Sequence, residues 1–216
     1  MMGKRCDLDL MALASLAMSA ALMNVGYLLL SPKDDTKRRE WGIEGEEFHE
    51  HPELSRYLLK ETQWFAAEVA EAVLQHHERW DGSGYPNGLK GKDISFFARI
   101  LAITDTYYEL VSFRPNARTY MPHKAVEHIM ASGNELFDPD LVQTFAREVP
   151  LYPAGVSVRL NTGESGVIAD PNLGHVGRPV VRICYGGNLT HLSWPFDIDL
   201  SQPKNQNILV VDVIDF

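Results

Sequence analysis

The chain is 216 residues long, 45% hydrophobic, and carries a formal net charge of −9. That length and apolar fraction suffice for a packed core, while the acidic balance excludes a surface that wraps duplex nucleic acid, so an anionic ligand must meet a local basic site. Two cysteines, Cys6 and Cys184, stand far apart without metal-finger spacing, which excludes a disulfide framework and suits a reducing cytoplasm.

The first element runs from Leu10 to Leu30 without a charge, nominally long enough to cross a bilayer, which takes about 20 residues. Its alanines and serines, with Asn24 and Gly26, weaken its insertion strength per residue. A buried core helix is therefore expected, with no membrane span and no signal peptide. SPKDDTKRRE (31–40) reads as a charged, proline-marked loop. A short helix is expected from about Glu44 to Lys60, bent near His51 and Pro52. From Gln63 to His77 the rows Phe65/Val69/Ala72/His76 and Ala66/Ala70/Val73/His77 recur at helical spacing and place both histidines on the inward edge.

After the glycine-rich turn, Phe97, Leu101, Asp105 and Tyr108 share one helical face and so set a carboxylate on an apolar stripe. Pro122 to Ser132 is a further helix closed by Gly133. Asp138 before Pro139 is an N-cap and first-turn pair for a helix reaching about Glu148. At LYPAG (151–155) the period changes: Val156, Val158 and Leu160 alternate, TGESG turns, Val167 and Ile168 continue, PVVRICY reads as a buried strand, and ILVVDVIDF closes the chain. The expected architecture is mainly α, an all-helical domain over 1–150 followed by a small β module of about five strands over 151–216.

Imidazoles and carboxylates converging in a helical core are ordinary ligands for zinc, iron or manganese, and His51, His76, His77 and Asp105 are the candidates. Satisfied core histidines are the competing explanation, and the residues alone leave the choice open.

HHERWDGSGYPNGLKG (76–91), followed by ARILAITDTYYEL, RPNAR and FDPDLVQTF, closely resembles the C-terminal half of the HD-GYP domain, a bacterial subdivision of the HD metal-dependent phosphohydrolases. His51-Pro52 also falls where that family places a histidine before proline. The resemblance implies an all-helical HD-GYP-type fold. It also implies a phosphodiesterase ancestry, in which two or three clustered metals, often iron or manganese, activate water against cyclic di-GMP. It assigns His51, His76 and His77 to one metal and Asp105 to a neighbouring one, with Gly84, Tyr85 and Pro86 shaping the lip where a guanine docks. Arg114 and Arg118 resemble a phosphate-holding Arg pair with one extra residue between them. Residues 152 onward resemble a C-terminal extension of some HD-GYP proteins, expected to serve packing, dimerisation or ligand sensing.

The departure lies in the first helix. Aligned with the family's His-Asp, apolar, Gly, Lys pattern, Met23 and Asn24 occupy the His-Asp positions and Tyr27 the lysine. Neither a thioether nor a neutral amide replaces a bridging carboxylate. The family's leading helices would also require sequence ahead of Met1. The expectation is a degenerate member without a catalytic His-Asp pair, either holding one transition metal (Fe, Mn or Zn) at the remaining ligands or leaving an empty polar pocket. Such a protein would be a cytoplasmic regulator in bacterial cyclic di-GMP signalling, acting by ligand binding or through a GGDEF-type protein partner. The alternatives are an active phosphodiesterase using the remnant histidines and a structural scaffold for a signalling partner. His49, His123, His128, His175 and His191 are expected to be solvated or capping.

Overall fold

The structure, a computed structural model, describes residues 2–30, 49–62, 64–113, 119–175 and 177–214. The charged loop at 31–40, the first part of the helix expected from Glu44, and both Arg114 and Arg118 lie outside the described residues. Among those described, seven α-helices precede five strands: α1 Met2–Arg5, α2 Leu10–Leu22, α3 His51–Thr62, α4 Ala67–Gln75, α5 Phe96–Val111, α6 Pro122–Ala131, α7 Pro139–Glu148, then β1 Ser157–Leu160, β2 Ser165–Asp170, β3 Val180–Tyr185, β4 His191–Asp199 and β5 Val210–Val213. The mainly α reading with a small C-terminal β module holds. The chain forms two compact units, Met1–Met121 with Glu127–Phe145, and Pro122–Val126 with Ala146–Phe216.

In the first unit, local chemistry sets the helix starts. The Asp9 carboxylate accepts from the Ala12 amide at 2.8 Å to cap α2, Ser95 Oγ accepts from Ala98 N to cap α5, and Asp138 Oδ1 accepts from Asp140 N at 3.0 Å ahead of α7. The other Asp138 oxygen accepts from Arg99 Nη1 at 2.7 Å, tying the start of α7 to α5. Helix α4 is shorter than its hydrophobic rows suggest. It begins after Ala66 and ends at Gln75, with His76 as C-cap, because Trp64 and Phe65 precede a helix start that has no side-chain cap. Its apolar face is nonetheless as expected: Val69, Ala72 and Val73 are fully buried, the first and last against Leu59 of α3, and Ala72 against Phe97 and Leu101 of α5.

The uncharged first helix departs from its expectation. Leu10–Leu29 is apolar enough for a span, yet only 17% of that window is buried. The buried positions of α2 are Ser15 and Ser19, and Ser19 Oγ donates to Ser15 O at 2.8 Å. Small residues face α4 because they permit close helix approach, with Ala12, Leu16, Leu22 and Met23 completing the contact, while Leu10 is 82% and Leu28 80% exposed. The α-helical part is 13 residues, roughly 20 Å long against the ~30 Å of a bilayer core. Beyond it the backbone tightens into a 3₁₀ turn, Val25–Leu29.

That 3₁₀ turn lies against the start of α3 through Gly26. Its amide donates to Ser55 Oγ at 2.7 Å, and Ser55 Oγ donates onward to Met23 O at 2.9 Å. A Cβ at position 26 would collide with His51 O and Ser55 N. Gly26→Ala is therefore expected to cost about 1–3 kcal/mol by forcing the turn off α3, lowering the thermal midpoint by roughly 2–4 °C per kcal/mol. Differential scanning calorimetry checks this.

The second unit is an antiparallel sheet in the order β4-β3-β2-β1-β5. Val158, Leu160, Ile168, Val181, Ile183 and Leu200 form its core, with Tyr152, Val156, Leu192 and Ile198 packed around them. The strand β4 was not foreseen in the sequence. It contains Pro195, which demotes a run to edge strand or loop, and β4 is indeed an edge, paired to β3 through Val181↔Ile198 and Ile183↔Phe196.

Candidate metal centre

Helix α3 opens with His51, and α4 ends into His76 and His77. One ligand atom from each of these three imidazoles lies within 4.8 Å of the others, which makes them a candidate metal-ligand group among the described residues. His51 and His76 are fully buried, and His77 is half-buried. Asp105 is half-buried on α5. It does not enter this group, and its charge acts on Arg79 and on Tyr85.

Each imidazole is held by its own partner. His76 Nδ1 lies 2.7 Å from Val73 O. The carbonyl accepts only, so Nδ1 carries the proton and Nε2 presents its lone pair. His51 stacks on Tyr27, centroids 4.1 Å apart and planes 15° off parallel. His77 stacks on Tyr85 at 4.8 Å and 21°. Tyrosine at position 27 thus has a structural use, a ring laid on the His51 imidazole.

The donor set fits a transition-metal ion. His51 Nε2 and His76 Nε2 are 3.2 Å apart, and two nitrogens bound at about 2.0–2.1 Å to one ion stand roughly 3.0–3.4 Å apart for angles from octahedral to tetrahedral. Both rings must be neutral to bind. Burial drives His76 down to about 3, with the Val73 hydrogen bond opposing and His51 and Arg79 adding to the fall. Burial likewise drives His77 to about 2, helped by His76, His51, Arg79 and His49. His76 and His77 therefore stay neutral at any physiological pH.

Those directions predict an acid sensitivity of the metal-free chain. The unfolded imidazoles take up protons as pH falls through about 6.5, whereas the folded ones stay neutral until about 3 and 2. The unfolded state then binds more protons, so stability drops as pH falls below 6.5 and the loss saturates near those folded values. Thermal melts from pH 6.5 to 4 are expected to show a steeper decline for the wild type than for His77→Phe, which removes one of the titrating groups.

The loop from Asp81 to Leu89 is anchored from behind. Glu78, 1% exposed, accepts from Asn87 N at 2.7 Å and from Leu89 N at 2.9 Å. The Tyr85 amide donates to His77 O at 3.3 Å. Gly84 permits that approach, since a Cβ there would collide with the backbone of His77, Glu78 and Arg79. Pro86 follows through a cis peptide bond. Arg79 lies over the Phe137 ring at 5.3 Å, and burial lowers its guanidinium from the ordinary range against the opposing charges of Tyr85, Asp105, Glu109 and Asp81. Burial raises the Tyr85 phenol above its usual range, so the ring stays neutral.

Met23 and Asn24 occupy quite different surroundings. The Met23 side chain packs into the apolar contacts of α3, α4 and α5, and Asn24 is exposed. Three features of the site escaped sequence reading: the Tyr27 stack on His51, the Glu78 anchor, and His49, whose exposed ring stacks on Tyr85 at 4.0 Å and 24°. A glutamate directly after the two adjacent histidines was the one signal available for the anchor.

Comparison with known proteins gives a consistent picture. The HD domain family matches residues 1–141. A cyclic di-GMP phosphodiesterase of Pseudomonas aeruginosa is 35% identical over 135 residues, 62% of this chain and 32% of that protein. A 3'3'-cGAMP-specific phosphodiesterase of Vibrio cholerae is 36% identical over 106 residues, 49% of this chain and 20% of that one. Among solved structures, an HDG"Y"P protein of Bdellovibrio bacteriovorus superposes with a TM-score of 0.53 at 19% identity, covering 66% of this chain and 46% of its own, which is a likeness of fold. The chain spans a third or less of the length of these two curated relatives.

Proposed function

Since the chain belongs to the HD domain family and carries the GYP segment HHERWDGSGYP without the His-Asp pair, we propose that it is a catalytically impaired member that holds a single transition-metal ion and binds a cyclic dinucleotide as a regulator. His51, His76 and His77 would hold the ion, with Asp105 the neighbouring carboxylate. When bound, the ion supplies positive charge against a phosphodiester oxygen and lowers the pKa of a coordinated water.

The observation that carries this reading is the mismatch between two halves of one site. Three imidazoles offer nitrogens within 4.8 Å of one another, two of them 3.2 Å apart, while the Met23 thioether is committed to core packing and Asn24 is neutral. The chain's own residues suit binding better than turnover. Tyr27 fixes the His51 ring but offers no positive charge to a phosphate. Gly84, Tyr85 and Pro86 form a rigid lip beside His77, held by the Glu78 carboxylate. Arg114 and Arg118 are proposed as the phosphate contacts. A cytoplasmic setting accompanies the proposal, because the ligand is an intracellular signal. A GGDEF-type partner is the regulatory target proposed with it.

The second reading, an active phosphodiesterase, draws on the same trio, since one ion is sufficient in many hydrolytic sites. A chromatographic time course of cyclic di-GMP, with iron- or manganese-loaded protein and His76→Ala as control, separates the two. No linear dinucleotide or GMP is expected. Product that forms with the wild type and disappears in the control would overturn the impaired reading in favour of the enzyme.

A further inference from the structure

The outer face of Tyr85 is a ring-stacking position, and in this structure the protein fills it with its own histidine. His77 and His49 both lie nearly parallel to the Tyr85 ring, at 4.8 Å and 4.0 Å. Two imidazoles at those distances on one face would overlap each other, so they take opposite faces. The inner one belongs to the metal group and is half-buried. The outer one is exposed, sits two residues ahead of His51, and has no part in the trio.

The two faces of Tyr85 therefore differ in kind. His77 is fixed by the backbone pair from Tyr85 N to His77 O and by its buried neighbours, whereas His49 is an exposed residue. A neutral phenol, kept so by burial, is a π-surface without charge. The rings that stack on such a surface are flat and polarisable, and a purine exceeds an imidazole in area.

We propose that His49 is a built-in, displaceable occupant of the outer face of Tyr85, standing where the HD-GYP resemblance would seat a purine. The inference rests on the cyclic-dinucleotide reading of the same site. A ligand that brings one purine to Tyr85 must first expel His49, so the histidine sets a threshold on affinity and discriminates against ligands too small to compensate for the lost stack.

The test is isothermal titration of the metal-loaded full chain with cyclic di-GMP, comparing wild type, His49→Ala and His49→Phe. His49 is exposed, so neither variant is expected to disturb folding. Removing the occupant is expected to tighten binding about three- to tenfold, the range of one aromatic pair, and His49→Phe, a better stacker, is expected to bind no more tightly than wild type. Equal or weaker binding by His49→Ala would overturn the displacement and make His49 either a spectator or a ligand contact. Binding by the wild type that survives Tyr85→Ala undiminished would likewise overturn the subsite while leaving the cyclic-dinucleotide reading intact. Absence of binding in the wild type and every variant would instead bring down that reading, and the subsite with it.

Discussion

Replacing His76 with alanine is expected to reduce bound transition metal from about one equivalent to below a tenth, read by elemental analysis after reconstitution and desalting. His76 is the best-organised donor of the trio. It is fully buried, its Nδ1 proton is spent on Val73 O, and its Nε2 stands 3.2 Å from His51 Nε2. Apparent binding energies of about 10–16 kcal/mol for four-ligand zinc sites imply roughly 3–4 kcal/mol for each donor, or on the order of 10²–10³ in affinity. Alanine also removes packed ring atoms, so a metal-free melt of the same variant is needed beside the metal measurement. His76→Gln keeps most of the volume and is expected to lose the metal with a smaller loss of apo stability. Full metal occupancy in either variant would show that the ion is held elsewhere.

The second large effect is expected from placing a His-Asp pair where the HD-GYP resemblance aligns it, with Met23→His and Asn24→Asp together. The backbone at 23 is already pinned by the bond from Ser55 Oγ to Met23 O, so the substitution changes donors without a shift of the chain. Bound metal is expected to rise from about one to about two equivalents, with cyclic di-GMP cleavage increasing at least tenfold over background, since two-metal sites clamp both attacking and leaving oxygens. A stability loss of about 1–3 kcal/mol should accompany the gain, because an imidazole replaces a thioether in apolar contact with α3, α4 and α5. A stable double variant that stays at one equivalent would mean that positions 23 and 24 are not where the second ion's ligands belong.

Much of the scaffold was legible before any coordinates. The Asp138-Pro139 start of α7, the Val69/Ala72/Val73 face of α4, the β1 alternation and the apolar run of β3 all follow from short-range rules, in which a cap, a period of 3.6 or 2, or a short apolar run is contained in a few residues. The histidine pair was legible for the same reason, being adjacent and at a helix end. What escaped depends on distant segments. Leu10–Leu29 reads as buried by composition, yet the inward face of α2 is sorted by size as well as hydropathy, so Ser15 and Ser19 are its buried positions while Leu16 and Leu22 are only partly covered and Leu10 is exposed. The stacks Tyr27–His51 and His49–Tyr85 join residues from separate elements, and no periodicity records a ring-to-ring contact. Strand β4 hid behind Pro195 because edge position, which permits proline, is a property of the finished sheet.

The buried Glu78 carboxylate that receives the amides of Asn87 and Leu89 makes those two protons natural gauges of the whole site. They exchange with solvent only when the carboxylate lets go, and Glu78 is the next residue after His77, so the loop cannot loosen without tugging on an imidazole of the trio. Slower deuterium uptake at Asn87 and Leu89 would then register metal loading or nucleotide capture from a vantage point that neither ligand touches.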